Sequence, residues 1–555
     1  MNCRYFKTSS ICIFIIIFSS FISCNKIETP IGNPVEEVNK DEIIDSLTNH
    51  IDSLFKEETP LPQSIVILDK EVTIPNGYIT KVRFRVNPSS TEIDINLFKL
   101  DRIDAMTKGI SYIKDPVYVK KVNVEKSPSA TGAKYRGEYV MTIEDMGISI
   151  DYSETLAIVY AAKDKNGNKT EISSDPFTVT STLPSSLPRV YIDTPEEKPI
   201  TSKTEWLEGA TIKIVDNDGT EYLDMGTSIR GRGNSTWGYP KKPYALKLDS
   251  KSEVLGMPKH KRWVLLANWM DRTLLRNDVA FEIGRRTMDW APHGRFIELY
   301  LNGKHQGNYY LCEQIKPDEN RVNIDDDGYI LEFDTYGPYD EINYFYTPVK
   351  QYPVTIKEPD EEVITSWDHQ MFLYISEYTG TLEQILENDK LAQERWEEVQ
   401  ELIDVRSYID WWLIHEVTYN LEPLHPKSSY MHKASDGKLY AGPIWDFDWG
   451  TYQDYQTYIA LTECLWYGYF FKYPEFKAAV KERWAEVRDV YASMDKYIED
   501  AAAYIKESND VNIYKWPLTS TTNGDEKLTF EKAITKMRSS YNGRVEAINN
   551  YIDTL

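Results

Sequence analysis

Gly442-Pro443-Ile444-Trp445-Asp446-Phe447-Asp448-Trp449-Gly450 is the stretch on which the reading of this chain turns. It sets two carboxylates two residues apart, after a strand-like run, so that both point the same way. Three rings, Trp445, Phe447 and Trp449, alternate with them. Acids among such rings are expected to be partly buried, and a buried carboxylate needs a partner. A cation or an arginine is the natural choice. Hard cations such as Mg²⁺ take one or two carboxylates and complete their shell with phosphate oxygens. An Asx-type turn with solvated aspartates is the plainer alternative.

Upstream lies Ile229-Arg230-Gly231-Arg232-Gly233-Asn234-Ser235-Thr236-Trp237, followed by Pro240-Lys241-Lys242-Pro243-Tyr244-Ala245-Leu246-Lys247-Leu248. Glycines alternating with arginines let backbone and guanidinium groups approach an anion together. Arg230, Arg232, Lys241, Lys242 and Lys247 are a local exception in a chain of net charge −24. Phosphate binding is the specific reading of that segment, and an exposed basic turn the general one. Between the two segments, alternating runs over 295–301 and 304–313 flank Asn302-Gly303, the strongest short-range hairpin signal. Glu313 closes the second run and is placed to pair with a cation of the basic segment. Residues 329–334 read as a further strand ending in acids.

Residues 189–555 form one large α+β unit, strand-rich to about Glu332. Helical patterns follow at 365–378, 391–402, 405–420, 474–494, 498–508 and 530–555. Residues 183–188 are a Ser- and Pro-rich linker. Before it, 62–182 reads as about seven short strands separated by turns, the pattern of an immunoglobulin-like β-sandwich. That module carries no evident chemistry and is expected to be a spacer or binding module. Residues 25–61 are polar and acidic. Ile43, Ile44, Leu47, Ile51 and Leu54 recur there at helical spacing, so a tether with one short helix is expected.

Residues 1–24 have a basic start (Arg4, Lys7), an apolar run over 11–18 and small residues leading to Cys24, the pattern of a signal peptide. The run is too short to span a membrane comfortably. Phe21-Ile22-Ser23-Cys24 resembles a bacterial lipobox, which implies lipidation of Cys24 and export to a membrane, in particular the outer membrane or cell surface. An ordinary signal peptide ending near a cysteine is the alternative.

A chain of 555 residues exceeds what one core usually organises. Its 14 Trp and 39 Tyr suit grooves for sugars or other flat ligands. The acidity excludes a nucleic-acid coat, because phosphate backbones need a basic surface. Beyond Cys24 only Cys312 and Cys464 remain, too few for a disulfide scaffold, and two buried thiols are expected. The lipid is the only membrane attachment anticipated, and the protein is expected to be a monomer.

Taken in order, these segments resemble the CotH kinase family, named for a spore-coat protein and distantly similar to protein kinases. The matching motifs are Arg-Gly-Arg-Gly-Asn-Ser-Thr-Trp (230–237), Pro-Lys-Lys-Pro-Tyr (240–244) and Trp-Val-Leu-Leu-Ala-Asn-Trp-Met-Asp-Arg-Thr-Leu-Leu-Arg-Asn (263–277). Leu301-Asn302-Gly303, the run 307–313 and Trp445-Asp446-Phe447-Asp448 complete the set. A β-sandwich behind a lipoprotein signal resembles versions from Bacteroides-type bacteria.

The resemblance implies an atypical protein-kinase-like domain with ATP and Mg²⁺ or Mn²⁺ held between two lobes. Arg230, Arg232, Lys242 and Lys247 would then serve the phosphates, with Glu313 as the partner of Lys247. Asp446 and Asp448 would hold the metal, and Asp448-Trp449-Gly450 is similar to the kinase Asp-Phe-Gly. The family's base is an aspartate after an asparagine, whereas Asn420-Leu421-Glu422 offers Glu422. The metal-binding asparagine expected about five residues later is absent. His425 and Glu416 are alternative bases. His415-Glu416 lacks a third ligand at zinc-site spacing. The implied function is an exported kinase moving the γ-phosphate of ATP to Ser or Thr hydroxyls of a protein. The alternatives are an inactive relative that binds a glycan or partner protein at the cell surface, and a different enzyme of envelope phosphates.

Overall fold

The structure is a computed structural model that describes residues 185–555, apart from 217, 336–341, 388–394, 454–456, 458, 519–522 and the side chain of 514. Of the preceding chain it describes eight strands as backbone. The signal segment, Cys24 and the tether with its expected helix lie outside the described residues.

The eight strands are β1 (Ile65–Thr73), β2 (Tyr78–Val86), β3 (Glu92–Leu100), β4 (Tyr118–Asn123), β5 (Tyr139–Glu144), β6 (Ser153–Lys163), β7 (Lys169–Ser173) and β8 (Phe177–Thr180). They form two antiparallel sheets, β1-β2-β5 and β4-β3-β6-β7, with β8 also paired to β6. The alternating runs thus do make strands, one more than the seven expected.

Seven strands then close a barrel: β9 (Arg189–Asp193), β10 (Leu207–Val215), β11 (Glu221–Gly231), β12 (Tyr244–Val254), β13 (Met257–Leu266), β14 (Gly294–Leu301) and β15 (Lys304–Glu313). Their order is β10-β11-β12-β13-β15-β14-β9, and only β14 and β9 run parallel. Period-two alternation sorts the side chains. Leu246, Leu248, Trp263 and Leu265 fill the barrel, while Val264, Leu266 and Cys312 face outward into a second, larger core. Asn302 and Gly303 both take left-handed backbone, φ 50° and 73°, which suits the two-residue primed turn that Asn-Gly predicts.

The larger core sits between the barrel's outer face, a second antiparallel sheet and the helices. That sheet has the order β17-β18-β16-β19-β20, from β16 (Tyr329–Phe333), β17 (Tyr344–Tyr346), β18 (Pro353–Glu358), β19 (Ser429–Lys433) and β20 (Leu439–Ala441). The helices are α1 (Arg276–Thr287), α2 (Gln370–Glu387), α3 (Trp396–Leu402), α4 (Val405–Thr418), α5 (Pro474–Lys515) and α6 (Phe530–Thr554), with a single turn at Tyr467–Phe470.

Three expectations change. Strands continue past Glu332, because β19 and β20 return between helices to complete the second sheet. Helix α1 interrupts the half expected to be strand-rich. Its polar ends mask a buried apolar centre, Val279, Ala280, Phe281 and Ile283. The helices expected at 474–494 and 498–508 are one helix of 42 residues, about 63 Å long. The polar run at 495–497 does not break it, since Asp495 is held by Arg538 of α6 at 2.8 Å.

Every residue of α4 from Tyr408 to Thr418 is buried. Its Glu416 therefore needs compensation, which comes from an ion pair with Arg544 of α6 and from the backbone N–H groups of Ala460 (2.9 Å) and Leu461 (2.8 Å). Cys312 and Cys464 are free, buried thiols. Among the described residues no helix is long and apolar enough to cross a membrane. Removing one partner of a buried ion pair strands the other, so Arg544→Met should destabilise the protein by about 3–5 kcal/mol in urea unfolding. The double variant Arg544→Met/Glu416→Met should recover part of that loss.

Candidate functional site

Trp445 and Phe447 are buried, Trp445 stacked on Phe281 at 5.5 Å and Phe447 against His415 at 5.0 Å. The loop after β20 brings Asp446 and Asp448, together with Trp445, to a cleft of about 720 Å³ between the barrel and the second sheet. Asp446 is held at φ 66°, a conformation uncommon for residues other than glycine and concentrated at functional sites.

Amide side chains fix this loop from three directions. Asn277 Oδ1 accepts from the Phe447 N–H (2.7 Å), and Asn420 Nδ2 donates to the Asp446 carbonyl (3.3 Å). Asn523 donates to the Asp448 carbonyl (2.9 Å) and accepts from the Gly450 N–H (2.8 Å). Below them the buried Arg276 bridges Asp271 (2.5 Å) and Asp525 (3.0 Å), and donates to the Thr451 carbonyl (3.2 Å). The motif 263–277 thus works as the bed of the aspartate loop. Its resemblance to a family motif does not by itself disclose this role.

The carboxylates perturb one another. Asp448 is pushed well above the usual carboxylate range by burial, then by the charge of Asp446 and a hydrogen bond with it, with Asp271 and Glu422 adding to the effect. Glu422 is pushed up to about 8, by burial first and then by Asp446, while Lys427 opposes the shift. Glu422 Oε2 is buried without a hydrogen-bond partner, and among the described residues no lysine or arginine forms an ion pair with Asp446 or Asp448. Uncompensated carboxylates of this kind fit a divalent cation. Among the described residues no three acidic, histidine or cysteine side chains converge as a metal site. A cation that uses one or two carboxylates and arrives with phosphate oxygens needs no such triad.

The facing wall is cationic. Arg230 and Arg232 line it, Arg230 donating to the Thr204 carbonyl (2.9 Å) beneath the Trp206 ring (4.5 Å) and Arg232 lying over Trp445 (5.2 Å). Neither has a carboxylate partner among the described residues. Trp206 and Lys203, which reach this wall from the segment before β10, carried no signal in the sequence.

Several expected residues sit elsewhere. Lys247 is exposed on β12 beyond the cleft lining. Glu313 is not its partner: it accepts from the His293 N–H (3.0 Å) and faces Arg321 at 3.6 Å. Lys242 points to the Trp237 carbonyl (2.6 Å), outside the cleft. Its neighbour Lys241 reaches the wall, but its buried ammonium is tied to the carbonyls of Ala267 (2.8 Å) and Asn308 and to Asn512 Oδ1 (2.9 Å). As alternative bases, Glu416 is consumed by Arg544, and His425 is exposed; neither His425 nor Glu422 is among the residues lining the cleft, but Glu422 stands near enough to the lining residues Asp446 and Asp334 to feel their charge. His415 is buried with Nδ1 on the Trp411 carbonyl at 2.8 Å, and its neighbour Glu416 is engaged by Arg544.

The folded state keeps a proton on Glu422 that the unfolded chain releases at about 4.5. Its contribution to stability is therefore fully present below about pH 4.5 and lost as pH rises through about 8. In chelator, urea-unfolding stability should fall across that window, and Glu422→Gln should flatten the fall. An equally steep profile in the variant would place the titration elsewhere.

A family model described as CotH kinase protein matches residues 229–554, from the arginine segment to the end of α6. No curated protein matches the chain. The match covers more than half of the sequence and includes both walls of the cleft, and the chain belongs to the CotH kinase protein family.

Proposed function

We propose that the protein is an atypical kinase that takes ATP with Mg²⁺ or Mn²⁺ and transfers the γ-phosphate to a Ser or Thr hydroxyl of a protein. The observation that carries this reading is the polarity of the cleft: Arg230 and Arg232 on one wall, Asp446 and Asp448 on the other, with no ion pair to either set among the described residues. A metal–phosphate group neutralises both at once, because its cation meets the carboxylates and its oxygens meet the guanidinium groups.

Asp446 and Asp448 would hold the metal, which would supply charge to offset the phosphates; phosphoryl transfer is mostly positioning and charge neutralisation. The guanidinium groups orient the phosphates. Glu422 is the base of this reading. Its raised proton affinity brings it near the working pH, where an acceptor hydroxyl can hand over its proton. Asn420 places it by accepting from the Glu422 N–H at 3.2 Å.

One observation favours the second reading, an inactive relative that binds a glycan or partner protein. A glutamate stands where the family's base is an aspartate, and the expected metal-binding asparagine is missing from 423–429. The N-terminal reading extends the proposal: an immunoglobulin-like sandwich over 62–182 would act as a spacer behind a lipid-bearing Cys24 on an exported protein. Cys24→Ser should release the protein from membranes, and unchanged membrane association would end the anchor reading.

Calorimetric titration of ATP with Mn²⁺ separates the two main readings. The kinase reading expects binding, a loss of at least about tenfold in Asp448→Ala, equivalent to about 1.4 kcal/mol, and radiolabel transfer that Glu422→Gln abolishes. Absence of both nucleotide binding and transfer would leave the binding-protein reading.

A further inference from the structure

The lower wall of the cleft carries an ion pair that none of the sequence motifs announced. Strand β16 alternates, with Tyr329, Leu331 and Phe333 in the core and Ile330 and Glu332 toward the cleft, where Asp334 follows them. Glu332 faces Thr355 of β18 on one side and Tyr430 of β19 on the other. Lys357, two residues along β18, is its diagonal neighbour. The Lys357 ammonium lies 3.1 Å from Glu332 Oε2, and the Tyr430 hydroxyl donates to Glu332 Oε1 at 2.7 Å. Both oxygens of the carboxylate are thus engaged.

The exposures of the pair differ. The Glu332 side chain is 14% exposed and that of Lys357 46%. So open an ion pair contributes little to stability, and the fold does not depend on it. Its effect is to hold a cation at a fixed place on the cleft wall, and such preorganisation favours binding of an anion. The wall opposite carries Arg230 and Arg232. The lysine expected from the sequence, Lys247, is exposed outside the lining, and Glu313 is occupied by His293 and Arg321.

Resting on the nucleotide reading above, we infer that Lys357 is the lysine that meets the nucleotide's phosphates, with Glu332 and Tyr430 as its positioning residues. Phosphate oxygens thereby receive cations from both walls of the cleft, guanidinium groups from the barrel and an ammonium from the second sheet.

The test titrates ATP with Mn²⁺ into wild type, Lys357→Gln, Lys357→Arg and Lys247→Gln, each over a range of salt concentrations. Lys357→Gln should bind at least about tenfold more weakly, with a shallower salt dependence because one screened charge contact is gone. Lys357→Arg should retain most of the affinity and the wild-type salt dependence. Lys357→Gln binding like wild type, or the loss falling on Lys247→Gln instead, overturns the inference while the nucleotide reading stands. A wild type that does not bind ATP removes both.

Discussion

The cleft is organised around Asp446 and Asp448, carboxylates that no lysine or arginine among the described residues pairs with. Several buried acids are matched by an arginine: Glu416 has Arg544, and Asp271 and Asp525 share Arg276. Asp446 and Asp448 have no such cation among the described residues, although Asp448 is buried enough for its proton affinity to rise well above the ordinary range. Unpaired carboxylates crowded together and partly withdrawn from water are costly, and the arrangement persists only where the surroundings over-determine the backbone. Three asparagines and one buried arginine do that here. They come from regions of the sequence as far apart as Asn277 and Asn523, which ties the integrity of the whole helical half to the geometry of two aspartates.

The barrel supplies the complementary half. Its inner face is filled with aliphatic and aromatic side chains, so its chemistry is confined to the outer face and to the segment after β11. There two arginines are propped by aromatic rings and a backbone carbonyl rather than by acids. Cations fixed by neutral groups keep their full charge for a ligand. The chain's overall acidity thus coexists with a cationic wall, because charge here is sorted by position and not by average.

Much of this was legible in the sequence, for identifiable reasons. The strand pattern of the barrel, the Asn302-Gly303 turn and the aspartate loop depend on neighbours in sequence, through alternation and turn chemistry. Contacts between distant segments were not legible. Nothing local shows that Glu313 will meet Arg321 and His293 before any lysine, or that Lys241 will be drawn inward by three oxygen acceptors. Glu332 reads in the sequence only as one of the acids ending a strand, and Lys357 carries no signal there; the two gain meaning only when β16 and β18 pair. The helix split at 495–497 failed for a similar reason, since the partner of Asp495 lies on another helix.

The central claim is that the two walls of the cleft are neutralised together, by a metal–phosphate group. Anomalous diffraction from crystals grown with Mn²⁺ and a non-hydrolysable ATP analogue tests it most directly. A manganese peak beside Asp446 and Asp448, with phosphate density reaching Arg232, is the predicted result. Nucleotide bound elsewhere, or a cleft in which Arg230 and Arg232 meet protein carboxylates instead, would contradict it.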